Sequence, residues 1–256
     1  RSWENHNLAT LERLRQLDEH PEGERPYLIV SLGDSSVQGM GASRVTESYP
    51  ARLASAITQQ MDREVLLLNL SLSGATIESV ELTQLPQMRG LGLLDGPFRP
   101  DLVTLTIGGN DVMAEDMAPG QFEERLRRIL AALPSGALVS TIPSFGIMPQ
   151  ESRAQDMSDR IRAAVEDSDA HLVDLRSLTQ EYSLPTYTFA YHAADFFHPN
   201  SAAYAKWAQL FADAWAESRR EPAPVVEDAP QWDMLSARVA ESEYDDRRTV
   251  SRRRVG

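Results

Sequence analysis

The stretch "DFFHPN" places Asp195 three residues before His198, and "GDSS" sets two serines, Ser35 and Ser36, behind a glycine and an acid. A serine hydroxyl is barely ionised near neutral pH and needs a base within hydrogen-bond reach before it attacks anything. An imidazole is such a base. A carboxylate on its other ring nitrogen fixes the tautomer that leaves the working nitrogen bare. One helical turn separates Asp195 from His198, so both side chains point to the same side of a short turn. Two further stretches, "NLSLSG" ending at Gly74 and "GGND" from Gly108 to Asp111, contribute small residues and an amide side chain that can donate to an oxyanion. Each stretch alone has an ordinary explanation as a turn or a helix cap. Together they hold the parts of serine-based acyl transfer.

These parts have to be positioned. Five short apolar runs occur at 27–32, 65–70, 102–107, 137–142 and 172–175. They are rich in Val, Ile and Leu without clean polar alternation, which is how strands covered on both faces read. Helical spacing of apolar residues fills 49–61, 77–88, 119–133 and 152–167. A long amphipathic helix is expected over 201–218, with Tyr204, Trp207, Leu210, Phe211 and Trp215 along one side. Strands alternating with helices imply a parallel sheet with right-handed crossovers, an α/β fold of three layers, α/β/α. In such sheets, sites form beyond the carboxyl ends of the strands. All four chemical stretches fall at such ends or just before the last helix.

Ser, Gly, Asn and Asp-x-x-His in that order, each after a successive element, resemble the SGNH hydrolases, also called the GDSL esterase/lipase family. The carrying residues are Gly33-Asp34-Ser35, Gly74, Gly108-Gly109-Asn110-Asp111 and Asp195 to His198, spread over roughly residues 27 to 215. Ser36 stands where the motif's name has Leu. "GDSSVQGMGAS" followed by "SYPARLASAI" looks most like actinobacterial members of unassigned substrate. The resemblance implies a flavodoxin-like five-stranded sheet, Ser35 as nucleophile, and Asp195 and His198 as its catalytic partners. It also implies an oxyanion hole from the Ser35 N–H, the Gly74 N–H and the Asn110 side chain. A Cβ at residue 74 would obstruct the substrate's approach, which is a reason for glycine there. The α/β-hydrolase elbow G-x-S-x-G does not fit, because Val37 lies two residues beyond Ser35.

Rivals exist within the motifs. Ser36 is the other hydroxyl and His192 the other histidine of "YHAADFFH". The Asp-x-x-His spacing and the following Pro-Asn favour His198, leaving His192 to line the entrance. Asp34 and Asp111 read as acids that accept from loop amides. Phe145, Ile147 and Met148, in a loop punctuated by Pro and Gly, are candidates for a substrate wall, with Phe197 beside the base. His6, His20 and His171 read as surface or strand-edge residues.

The chain has 256 residues, enough for one large α/β domain, with a formal net charge of -13. That charge disfavours a nucleic-acid partner. There are no cysteines, which excludes a thiol nucleophile and thiolate metal ligands. The His and carboxylate residues are not grouped at ligand spacing, so no metal and no cofactor is expected. No stretch approaches the roughly 18 apolar residues of a membrane span. A soluble, cytoplasmic protein is the expectation, an exported or anchored form being left open because the chain starts at Arg1. Residues 1–220 are expected to form the hydrolase domain, with 1–24 as a helix packed outside the sheet. Residues 221–256 follow as a strap rich in Pro and acids, a short helix over 232–240 and an Arg-rich tail, "DDRRTVSRRR".

The expected activity is hydrolysis of a small-molecule carboxylic ester, with short acyl chains because no long hydrophobic lid is evident. Carbohydrate deacetylase, thioesterase and lysophospholipase activity are alternatives on the same machinery, and an acyl- or glycan-binding module is the non-enzymatic one. Oligomeric state does not follow from these residues.

Overall fold

The computed structural model describes residues 2–19, 25–114, 116–183, 186, 190–195 and 197–226. All five apolar runs are strands: β1 Tyr27–Gly33, β2 Val65–Asn69, β3 Leu102–Thr106, β4 Leu138–Ser140 and β5 His171–Val173. They pair in parallel in the order β2-β1-β3-β4-β5. The fifth run was expected to reach Leu175, but the strand stops at Val173. Asp174 accepts from the Ser177 N–H at 3.1 Å, so its carboxylate caps a helix, and Leu175 begins that helix, α8 (Leu175–Gln180), instead.

Both faces of the sheet are covered. On β1, Leu28, Val30 and Leu32 enter one apolar core while Tyr27 and Ile29 enter the other. Both alternating sets are therefore apolar, and the strand shows no polar period. One face carries helices α4 (Leu85–Gly90), α5 (Gly109–Ala114), α6 (Pro119–Ala132) and α7 (Glu151–Glu166), through residues such as Met88, Val112, Ile129 and Ile161. The other carries α2 (Tyr49–Met61) and α9 (Ser201–Arg219), through Leu53, Ile57, Phe211 and Trp215. The spacing over 77–88 reads as one helix. The structure has a short α3 (Ile77–Ser79), a π-helical turn (Val80–Gln84) and then α4, with the Leu85 N–H bonding to the Val80 carbonyl five residues back.

Helix α1 (Ser2–Glu19) packs outside the sheet along its edge strand, β2. The Asn7 carboxamide pairs with both backbone groups of Asn69, donating to the carbonyl at 2.6 Å and accepting from the N–H at 2.9 Å. His6 Nε2 and Thr10 Oγ1 donate to the Leu67 carbonyl at 2.7 and 3.3 Å. A helix thus satisfies an edge that would otherwise be open to another strand. His6 is buried in this seam, and burial holds its imidazole at about 4, far below the ordinary value near 6.5. His171 opens β5 and is exposed; His20 lies outside the described residues.

Beyond α9, residues 221–226 run back over the helices: Gln209 donates to the Pro224 carbonyl at 3.0 Å and accepts from the Val226 N–H at 2.9 Å. The expected helix over 232–240 and the Arg-rich tail lie outside the described residues. Among the described residues, no helix is long and apolar enough to cross a membrane. The chain passes from β1 to β2 on one side and to β3 on the other. The crevice at the carboxyl ends of β1 and β3 is therefore the switch point where such sheets bind ligands.

Candidate active site

Gly33 ends β1, and its φ of +138° suits glycine. A Cβ there would sit 1.9 Å from the Thr106 carbonyl oxygen on β3. The chain then folds into a tight turn. Asp34 Oδ1 accepts from the Ser36 N–H at 2.9 Å and from the Ser36 hydroxyl at 2.7 Å, while the Val37 N–H closes on the Asp34 carbonyl at 3.2 Å. Ser36 is thereby tied into the turn. Ser35 is freed from it, and its Oγ lies 3.0 Å from His198 Nε2. Both Asp34 and Ser35 are buried. Burial pushes the Asp34 carboxyl up, against the pull of its Ser36 bonds.

The opposite wall comes from the segment before α9. Ala193 N–H donates to the His198 carbonyl at 2.8 Å and Asn200 N–H to the Tyr191 carbonyl at 3.0 Å, so His192 and Pro199 face each other in a one-rung antiparallel bridge. Asn200 joins this small hairpin to α9. Its Oδ1 accepts from the Ala202 and Ala203 N–H groups as the helix cap, and its Nδ2 donates to the Ala190 and His192 carbonyls at 2.8 and 3.2 Å. Asp195 accepts from the Phe197 and His198 N–H groups at 3.0 and 2.9 Å, and its Oδ2 lies 2.7 Å from His198 Nδ1. The bond from His198, then those from the backbone, hold its carboxyl at about 2. An ionised Asp195 can only accept, so Nδ1 carries the proton and Nε2 accepts from the Ser35 hydroxyl.

Gly41 fits these two halves together. At φ +90°, a Cβ there would meet the Pro199 carbonyl at 2.4 Å and Cβ of Ala193 and His198 at 2.9 and 3.0 Å. The Ser35 loop and the His198 hairpin touch where only a hydrogen fits.

The oxyanion candidates sit on the β2 and β3 ends. Ala75 N–H closes a turn on the Leu72 carbonyl at 3.0 Å, with Gly74 at its third position and φ +76°. That position of a type II turn needs glycine. A Cβ built at Gly74 meets no protein atom beyond its chain neighbours within 4 Å, so the positive φ is the feature of this structure that calls for glycine, and the space beside it is open. Asn110 donates one amide hydrogen to the Ala75 carbonyl at 2.8 Å, which ties the β3 end to the Gly74 turn and leaves its second hydrogen over. Asp111 underpins both: its two oxygens each accept from the Ile77 N–H at 3.1 Å, and burial pushes its carboxyl up to about 6.

A cleft of about 250 Å³ opens at Ser35, His198 and Asn110. Phe145, Met148, His192 and Phe197 all border it; Gly74 is exposed and tied to it through Ala75. Phe145 also belongs to the core beneath. Its loop is fixed by Glu151, which accepts from the Ser144 hydroxyl at 3.1 Å and the Phe145 N–H at 2.6 Å and is paired in turn with the buried Arg176. Lining residues that sequence reasoning missed are Thr179, Tyr182, Tyr191 and Trp207. Trp207 had a signal, its helical stripe, which pointed to core; the Tyr182–Tyr191 ring pair, 4.4 Å between centroids, had none. Among the described residues, no group of three or more His, Asp or Glu is placed to hold a metal ion.

A family model described as the GDSL-like lipase/acylhydrolase family matches residues 31–206. No match is found among curated proteins. Among solved structures, the chain is similar to LAE5, an alpha/beta hydrolase enzyme from the metagenome of Lake Arreo, Spain. Identity is 23% and the TM-score 0.58, over 74% of this chain and 95% of that one. It is also similar to TesA, at 20% identity and a TM-score of 0.57 over 73% and 97%. Axe2, an acetylxylan esterase from Geobacillus stearothermophilus, gives 18% and 0.56 over 74% and 94%. At these identities the likeness is one of fold.

Proposed function

The chain belongs to the GDSL-like lipase/acylhydrolase family, and from that premise we propose that it hydrolyses a carboxylic ester through an acyl-enzyme on Ser35. The observation that carries this is the unbroken relay from Asp195 through His198 to Ser35, with steps of 2.7 and 3.0 Å. Ser35 Oγ attacks the ester carbonyl as His198 Nε2 takes its proton, and Asp195 stabilises the imidazolium that forms. The carbonyl oxygen becomes an oxyanion facing the Ser35 N–H, the Gly74 N–H and the free hydrogen of the Asn110 amide. Among the described residues, neither backbone N–H is engaged by a protein acceptor. As the tetrahedral intermediate collapses, the alkoxide takes the proton from His198 and leaves as the alcohol. Water then loses a proton to the same nitrogen and attacks the acyl carbon; as this second intermediate collapses, His198 returns that proton to Ser35 Oγ and the acid leaves.

The cleft supports a short acyl group with an apolar neighbour, because its walls are largely carbon: Ile107, Phe145, Met148, Tyr191 and Trp207. The likeness to an acetylxylan esterase keeps acetylated sugars in the panel to be assayed, beside thioesters, which the same machinery could also cleave. The first experiment is turnover of p-nitrophenyl acetate by the wild type, Ser35→Ala and His198→Ala. Turnover confined to the wild type supports the reading. Equal turnover in Ser35→Ala overturns it, and binding of acyl esters without turnover by the wild type favours a binding module.

A further inference from the structure

Among the described residues, two side-chain amides each pair with both backbone groups of a single residue on a strand. Asn7 does so at Asn69 on the sheet's edge. Gln84 does so at Gly33, two residues before Ser35. The Gly33 N–H donates to Gln84 Oε1 at 2.8 Å and Gln84 Nε2 donates to the Gly33 carbonyl at 2.8 Å. The partners fix which way the amide faces, since an N–H must meet the oxygen and a carbonyl the nitrogen. Gln84 is fully buried. It ends the π-helical turn, and single π turns inside helices are frequent at functional sites.

Gly33 is a junction. Its carbonyl also accepts from the Leu72 N–H at 3.1 Å, two residues before Gly74. Strand β2 has ended at Asn69, so Gln84 takes up the N–H that a longer β2 would have received. On its far side, Gly33 is pressed against the Thr106 carbonyl. One residue therefore aims the nucleophile turn and anchors the Gly74 turn, and one side-chain amide fixes both peptide groups that flank it.

We infer that Gln84 is a positioning residue for catalysis, holding Ser35 and the Gly74 N–H in a common register through Gly33. This rests on the hydrolase reading above. A misplacement of about 1 Å at a reacting group can cost on the order of a hundredfold in rate. Loss of Gln84 should therefore act on kcat more than on KM.

The test counts active sites by titration with a fluorophosphonate and measures kcat per titrated site. Gln84→Met, similar in length but unable to pair with Gly33, should lose about tenfold or more in kcat with KM nearly unchanged. Asn7→Leu removes the twin pairing at the edge strand and should keep kcat per site. Unimpaired kcat in Gln84→Met, or an equal loss in Asn7→Leu, overturns the inference. Gln84→Glu gives a second arm if Gln84→Met does not fold. A protonated carboxyl reproduces both hydrogen bonds and a carboxylate only one, so its kcat relative to wild type should rise as pH falls from 8 towards 5.5. A flat or falling ratio contradicts the role. A wild type with neither turnover nor labelling sinks the hydrolase reading itself; an active wild type with unimpaired Gln84→Met sinks this inference alone.

Discussion

Ser35 and His198 meet at 3.0 Å but are held in opposite ways. Ser35 stands just beyond the end of β1, held from β2 on one side and β3 on the other. Gly33 is pinned by Gln84 and Thr106, the Val37 carbonyl accepts from Asn69 Nδ2 at 2.8 Å, and the Ser71 carbonyl accepts from Gln38 Nε2 at 2.9 Å. His198 stands on a loop closed by one antiparallel rung and by the Asn200 cap, and the Asp195 side chain is 48% exposed. The proposed nucleophile and oxyanion donors thus hang from the sheet, whereas the proposed base is delivered from the rim. A change on the sheet side should alter the geometry of attack and leave binding intact. A change on the rim should alter how often the base is in place.

The largest effect should come from the rim's own chemistry. His198→Ala is expected to lower kcat by about a thousandfold or more, and Asp195→Asn by on the order of a hundredfold, its carboxylate being half open to water that can share its role. Steady-state kinetics on p-nitrophenyl acetate reads both. An Asp195→Asn loss as large as that of His198→Ala would show that the rim is as closed as the sheet.

On the sheet side, Asn110→Ala removes one oxyanion donor and should lower kcat by about a hundred- to thousandfold with KM little changed. A rise in KM at constant kcat would place Asn110 in substrate binding instead.

Gly41 is where the two halves touch. Gly41→Ala forces a Cβ against the Pro199 carbonyl and the His198 side chain, at a positive φ. About a tenfold fall in kcat is expected from displacement of the base, with a smaller shift in thermal midpoint than a core truncation gives. Unchanged kcat would mean that the hairpin yields freely.

The smallest effect concerns the edge seam, away from the chemistry. His6 is neutral in the fold down to about pH 4, while in the unfolded chain it takes a proton near 6.5. The unfolded state therefore binds more protons between those values, and stability falls as pH drops from 6.5 to 4 and is level below. For this one group the loss reaches about 3 kcal/mol. Urea melts of the wild type and His6→Gln across that window check it: the variant should show the shallower decline, and equal slopes would remove His6 from the seam.

The sheet was legible in the sequence because β1, β2 and β3 are unbroken apolar runs. The order Ser, Gly, Asn, Asp-x-x-His then placed the chemistry at their ends. β5 was overextended because Leu175 is as apolar as a strand residue; only the Asp174 cap separates it. The π turn was not legible, since helical spacing over 77–88 is the same with or without one extra residue in the turn. Gln84 and Asn7 were not legible either. A polar side chain that completes a strand's hydrogen bonding from a distant element leaves no local period. Gly41 gave a turn signal, but its contact with His198 lies 157 positions away in the chain.

The central claim is that Ser35, and not Ser36, is the hydroxyl activated by His198. The direct measurement is labelling with a fluorophosphonate, followed by intact mass and peptide mapping of the wild type, Ser35→Ala and Ser36→Ala. The expected result is a single adduct on Ser35 in the wild type, retained in Ser36→Ala and absent from Ser35→Ala. An adduct on Ser36, or labelling of Ser35→Ala at the wild-type rate, would contradict it.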